Sequence, residues 1–192
     1  MQFPADQFMA ALKFVAHAAG KKDIRYYLNT IHLEFRRHEL TMVATDGHRM
    51  AWLTMNAPDV VDEFSLTVNI ECINDLLKIK PPKNAQIEVT QDGFEIGFMK
   101  GEWSLCEGNF PDWKRVKSQE KSPYADGQTG IASKLVAEAM KACASIGPKY
   151  YGCEVKMVNQ TGADHGMHIT AHLGDKWTWI ETAHVKIMGM RL

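Results

Sequence analysis

The chain has 192 residues, 45% of them hydrophobic and 23% charged, with a formal net charge of −1. This is an ordinary soluble globular composition with material for one large core or two smaller ones. It excludes a strongly basic nucleic-acid tail, and no apolar run approaches the roughly 20 residues of a membrane helix.

The opening MQFPADQF has no basic stretch leading into an apolar one, so no secretory signal is expected there. A short extended MQF precedes ADQFMAALKFVAHAA, where Phe8, Ala11, Leu12 and Val15 recur at helical spacing and Gln7, Lys13 and His17 fall elsewhere. RYYLNTIHLEF, LTMVAT and HRMAWLTM follow as strands. Between the last two, Asp46-Gly47 predicts a tight two-residue hairpin turn. SLTVN then leads into a second helix, IECINDLLKI, and into strands at AQIEVTQ, GFEIGFM and EWSLCEG, joined at Gln91-Asp92-Gly93 and Lys100-Gly101. NFPDWKRVKSQEKSPYADGQ is polar, holds two prolines and reads as a linking segment. TGIA leads into a third helix, SKLVAEAMKACASIG, with Leu135, Val136, Ala139, Met140, Cys143 and Ile146 inward. Ser133 is its expected N-cap and Gly147 its expected C-cap. YGCEVKMV, GMHITAHL, KWTWIETA and HVKIMGM follow as strand-like runs.

The order β-α-β-β-β therefore occurs three times, with units starting near residues 1, 64 and 127. Hairpin-scale turns make the sheets mainly antiparallel, so the fold class is α+β with helices on one face of the sheets. The expected division is a complete two-unit domain at 1–117, a linker at 118–126 and a one-unit remainder at 127–192. Residues 1–126 carry a net charge of −3 and residues 127–192 a net of +2. A DNA surface would need its positive charge gathered on one face.

Candidate chemistry is sparse. Cys72, Cys106, Cys143 and Cys153 are widely spaced without CxxC, which suggests neither a disulfide framework nor a zinc site and fits a reduced cytoplasmic setting. Asp46 and His48 are an acid–base pair in principle, but no Ser or Cys nucleophile lies near them in sequence. His168 and His172 share a strand face while His165 points away, so solvated strand histidines explain them better than a metal. Trp177 and Trp179 also share a face, as sheet packing requires. No metal, cofactor or catalytic residue is expected.

Taken in order, DIRYYLNTIHLEF, VATDGHRMAWL, NFPDWKRV and the closing KIMGMRL resemble the bacterial DNA polymerase III beta subunit, the sliding clamp. The resemblance matches residues 1–117 to the middle of that family's three domains and residues 127–192 to a shortened last domain. It implies a clamp-like fold of β-α-β-β-β units, three here against six in a full clamp. It implies a non-enzymatic accessory of DNA replication, supporting the processivity of DNA polymerase III. The family's cleft receives short peptides, with Leu-Phe-like anchors, from polymerases, the clamp loader and repair proteins. Carried over, Leu28, Thr45, Gly47, His48 and Arg49 would form one wall, with Pro111, Arg115 and Val116 beside it. Ile187, Met188, Met190, Arg191 and Leu192 would form the other. Gly189 departs from the family's usual proline. Loose, sequence-independent contact with duplex DNA would fall to Lys13, Lys21, Lys22, Arg25, Tyr26, Lys78, Lys134 and Lys141. With the odd number of units, self-association into a dimer or tetramer through the third unit is expected. The alternative function is a peptide-binding module that competes with a full clamp and has no DNA role.

Overall fold

The structure, a computed structural model, describes residues 1–118, 131–148, 152–158 and 166–189. It is α+β, with antiparallel pairing throughout the described sheets. The first unit runs β1 (Gln2–Pro4), α1 (Ala5–Ala16), a 3-10 turn at Tyr26–Leu28, β2 (Thr30–Arg36), β3 (Glu39–Thr45) and β4 (Arg49–Asn56). The second runs β5 (Phe64–Asn69), α2 (Ile70–Leu76), β6 (Gln86–Val89), β7 (Gly93–Ile96) and β8 (Met99–Glu102). After α3 (Trp113–Ser118), the third unit has α4 (Ser133–Ile146), β9 (Cys153–Val158), β10 (Gly166–Ala171) and β11 (Ile180–Met188).

The first two units exchange their leading strands. β1 pairs with β6, Phe3 opposite Ile87, and β5 pairs with β2, Leu66 opposite Leu33. Each unit thus completes the other's sheet, and a single core forms between them. The larger sheet has the order β5-β2-β3-β4-β11-β10-β9, because β11 lies against β4 and carries the third unit's strands with it. Alternation sends Leu53, Ala51, Ala183, Val185, Ile187 and Ile169 to the helix side, where all are buried. There α1 packs against β3 and β4, α4 against β10 and β11, and the two helices against each other.

Several sequence expectations are corrected in detail. Ala132, not Ser133, is the N-cap of α4, with its carbonyl accepting from the amides of Leu135 and Val136. On that helix Ala139, Cys143 and Ile146 are buried as expected, while Leu135, Val136 and Met140 are half-buried. KWTWIETA and HVKIMGM do not form two strands. The amide of Trp177 closes a turn on the Gly174 carbonyl, and one long strand begins at Ile180. Ile131 and Ala132, from the TGIA segment, are not extended in a sheet, and the rest of that segment lies outside the described residues. Gln7 is buried rather than on a polar face. Its amide accepts from the Trp179 backbone N–H at 2.8 Å and donates to the Thr178 hydroxyl at 3.3 Å, which joins α1 to the approach of β11. Part of the segment read as a link is structural, since α3 begins at a buried Trp113.

Candidate functional site: a cleft at the β3–β4 tip

The hairpin tip is tied to itself. The Asp46 carboxylate accepts the backbone N–H groups of His48 (2.9 Å) and Arg49 (3.0 Å) and also Nε of Arg49 (3.1 Å). The Thr45 hydroxyl donates to the Arg49 carbonyl at 2.7 Å and accepts the Gly47 N–H at 3.1 Å. The connection is therefore three residues, Asp46 to His48, and not the two-residue turn that Asp-Gly suggests. Within it only Gly47 takes a positive φ, of 85°. An Asx-type bond explains the difference, because it holds Asp46 in a conformation that ordinary residues adopt. A Cβ on Gly47 would stand 3.2 Å from Nη1 of Arg25. The positive φ thus calls for glycine, and a Cβ would in addition press the Arg25 guanidinium aside by a few tenths of an ångström.

Beside this tip lies a cavity of about 240 Å³. Tyr27 and Leu28 of the 3-10 turn reach it together with Arg25. Thr45, Gly47, Arg49 and Met50 come from the hairpin, Pro111, Trp113 and Val116 from the α3 region, and Lys186 and Met188 from β11. The α3 wall is seated by Trp113, which packs with Val43, Met50 and Trp52 in a second small core on the sheet face away from α1 and α4. β11 fastens both sides. Nζ of Lys186 donates to the Val116 carbonyl at 2.9 Å, and the Met188 amide donates to the His48 carbonyl at 2.8 Å.

Of the residues assigned to the cleft, Leu28, Thr45, Gly47, Arg49, Pro111, Val116 and Met188 line this one cavity. Among the described residues, the others assigned to the cleft, His48, Arg115 and Ile187, do not line this cavity. His48 is exposed at the tip, and Arg115 lies on the exposed side of α3. Ile187 is fully buried in the main core, because a strand that turns Met188 toward the cavity turns its neighbour away. The same period places Lys186 in the wall. Sequence reasoning missed Lys186, although counting back two residues from Met188 finds it. Tyr27, Met50 and Trp113 were missed too, and Arg25 was assigned to DNA alone. Met190, Arg191 and Leu192 lie outside the described residues.

Arg49 is 5% exposed and bridges two carboxylates, Asp46 beside it and Glu138 on α4. The Arg49 hydrogen bond, opposed by some desolvation, holds the Glu138 carboxyl below its usual pKa of 4.5. Lys134 and Lys21 add smaller effects in the same direction. A depressed carboxyl pKa contributes stability above the unfolded value and loses it as pH falls through the folded one. Glu138→Gln is therefore expected to cost about 1 kcal/mol at pH 7. The gap from the parent should close as pH drops below about 4.5. Urea unfolding at pH 7 and pH 3.5 checks this, and an equal gap at both values would refute it. Asp23 is lowered further, to about 2, chiefly by its side-chain hydrogen bond from Arg25.

The cations assigned to DNA are dispersed. Lys13 is exposed on α1, and Lys134 and Lys141 on α4. Lys21 and Lys22 are exposed in the loop after α1, near an exposed Tyr26. Lys78 pairs with Asp75 at 2.7 Å and Arg25 with Asp23 at 2.8 Å, so each is partly neutralised.

Asp46 has its carboxylate occupied by two amides and a guanidinium, and among the described residues no serine or cysteine lines the cavity. That geometry leaves no acid–base pair aimed at a nucleophile. Burial pushes the Cys143 thiol up to about 12, which makes it inert. Among the described residues no group of three His, Cys, Asp or Glu side chains is placed to hold a metal. His168 does not stand free on a strand face. Its ring lies tilted against Trp52 at a centroid distance of 5.3 Å, and His184 stacks on the same indole at 5.0 Å. His165 lies outside the described residues.

Comparison with known proteins agrees with the fold. Residues 2–112 match the family model for the DNA polymerase III beta subunit, central domain. A beta sliding clamp of Pseudomonas putida is 33% identical over 118 residues, covering 58% of this chain and 32% of that protein. One from Vibrio cholerae is 32% identical over 157 residues, covering 80% of this chain and 41% of its own length. Among solved structures, a DNA polymerase sliding clamp from Pseudomonas aeruginosa superposes with a TM-score of 0.65 at 19% identity, over the whole of this chain and 66% of that one. A DNA polymerase III beta chain from Streptococcus pneumoniae superposes with a TM-score of 0.74 at 15% identity, over 64% of its length. The chain thus spans about a third to two fifths of these curated relatives.

Proposed function

The chain belongs to the DNA polymerase III beta subunit family, whose central-domain model covers residues 2–112, and from that premise we propose that it is a sliding-clamp-like accessory of DNA replication. It binds clamp-binding peptides of polymerases, the clamp loader and repair proteins, and it touches duplex DNA loosely. It acts in the cytoplasm, without chemistry or cofactor of its own, as a processivity factor for a polymerase of the DNA polymerase III type.

The observation that carries the reading is the cavity where Leu28, the Thr45–Arg49 tip, Pro111, Val116 and Met188 converge. It is concave and mostly apolar, with Arg25 and Lys186 as cationic donors at its wall, which suits a short peptide ending in two apolar anchors. Met50 and Met188 offer thioethers that repack around different anchors at low cost. His48, Arg115, Met190, Arg191 and Leu192 belong to the same proposal as rim contacts. Phosphate contact falls to Lys13, Lys21, Lys22, Arg25, Tyr26, Lys78, Lys134 and Lys141. Self-association runs through the third unit.

Titration with a short Leu-Phe peptide, followed by the fluorescence of Trp113 at the cavity wall, is the test. A saturable change is expected, and none at concentrations up to about 1 mM would overturn the peptide reading. The partly neutralised Arg25 and Lys78 favour a second reading, in which the cleft competes with a full clamp and DNA plays no part. Retention on circular primed DNA that weakens as salt rises supports the first reading; no retention at low salt supports the second.

A further inference from the structure

The larger sheet ends differently on its two sides. The outer edge of β5 is covered by residues 104–106. The Asn69 amide donates to the Ser104 carbonyl and the Cys106 amide to the Thr67 carbonyl, both at 2.8 Å. β9, at the other side, has no strand against its outer edge among the described residues. Along one register the residues Ala44, Ala51, Val185, Ile169 and Val155 stand opposite one another across five strands. The first four are fully buried, whereas Val155 is 42% exposed. The core row thus runs off the sheet at β9, an edge of the kind that soluble proteins otherwise cover.

The geometry points to a second copy of this chain as the cover, with β9 pairing antiparallel to β9 of that copy about a two-fold axis at Val155. In this register Val155 meets its own equivalent, and the core row continues into the second molecule. On the opposite face Glu154 stands across from the other copy's Lys156, and Lys156 from its Glu154. Within one chain the two side chains already pair at 2.9 Å. The interface would join them into a square of alternating charges, and opposite charges directly across an antiparallel pair favour that register. An isologous contact of this kind closes at two copies. The other edge with an exposed apolar residue, Met99 on β8, is four residues long against six for β9. Set against β9 with Met99 opposite Val155, it brings together only one opposite-charge pair, Lys100 with Glu154. The proposal sharpens the self-association within the proposed function and makes no use of the cleft.

Light scattering behind a sizing column, over about 1–200 μM of the full chain, tests it at Kd values in the range of ordinary weak dimers. A concentration-dependent doubling of mass is expected. Glu154→Lys and Lys156→Glu, each alone, put like charges across the two-fold twice and should weaken the dimer roughly tenfold. The double variant, Glu154→Lys with Lys156→Glu, restores opposite charges and should restore the dimer. Both changes sit on exposed side chains, and unchanged unfolding temperatures would verify that the three variants fold. A monomer at every concentration overturns the proposal. A dimer indifferent to the single changes does so too. Species that grow beyond two copies and are not rescued by the double change would assign the edge to β8 instead. Peptide titration of the same variants keeps the two readings apart, since the cleft should bind equally in all of them.

Discussion

Trp52→Ala is expected to destabilise the chain by about 3–5 kcal/mol, the usual cost of emptying a large aromatic site in a packed core. Trp52 is 1% exposed, stands between Val43 on β3 and His184 on β11, and is among the largest fully buried side chains. Its ring lies in the small core that seats Trp113, with the His184 ring stacked on it and the His168 ring tilted against it. Its indole N–H has no hydrogen-bond partner among the described residues, so the loss is one of packing and apolar burial. In a chain of this length the change should lower Tm on the order of 10 °C. Trp52→Phe should recover most of it. The α3 wall rests on the same core, so peptide affinity should fall together with stability. Calorimetry of the three proteins measures the effect, and a loss under about 1 kcal/mol for Trp52→Ala would mean that the sheet closes over the space.

Met188→Lys should act in the opposite sense, with a large effect on binding and a small one on folding. Met188 is half-buried at the cavity wall, next to Lys186 and near Arg25 and Arg49. A lysine there replaces apolar lining with a charge in a cavity whose charged lining residues, Arg25, Arg49 and Lys186, are cations. A buried anchor side chain is worth about 1.5–3 kcal/mol, and losing its apolar seat corresponds to roughly a hundredfold in affinity. The backbone bond from the Met188 amide to the His48 carbonyl survives the substitution, so the tip stays fastened. Peptide titration and urea unfolding together decide the matter. Unchanged affinity would remove β11 from the binding surface. A large fall in stability would make Met188 a core residue instead.

Much of the fold is legible along the chain because it is periodic. Phe8, Leu12 and Val15 recur at helical spacing and are buried where α1 forms, and alternation in LTMVAT and HRMAWL gives β3 and β4. Gly47 marks the tip because the turn requires a positive φ there. Met188 could be assigned to the cleft by resemblance, and alternation then places Lys186 with it and removes Ile187.

What one chain segment cannot carry is its partner. Nothing in HVKIMGM says that β11 will lie against β4, where His184 stands opposite Trp52 far earlier in the chain, yet that pairing unites the third unit with the first and builds the second wall of the cavity. Nothing near Arg49 announces Glu138, and nothing around Trp113 announces Val43 and Trp52. The sequence by itself determined the first two β-α-β-β-β units, the α+β class and the hairpin that carries the tip, because helix and strand periods and turn residues act within a few positions. Only the tertiary structure decided the strand order, the closing of the cavity and the place of β9 as the last strand of the larger sheet among the described residues. Those depend on which apolar faces find one another across long loops, and burial has no direction along the chain.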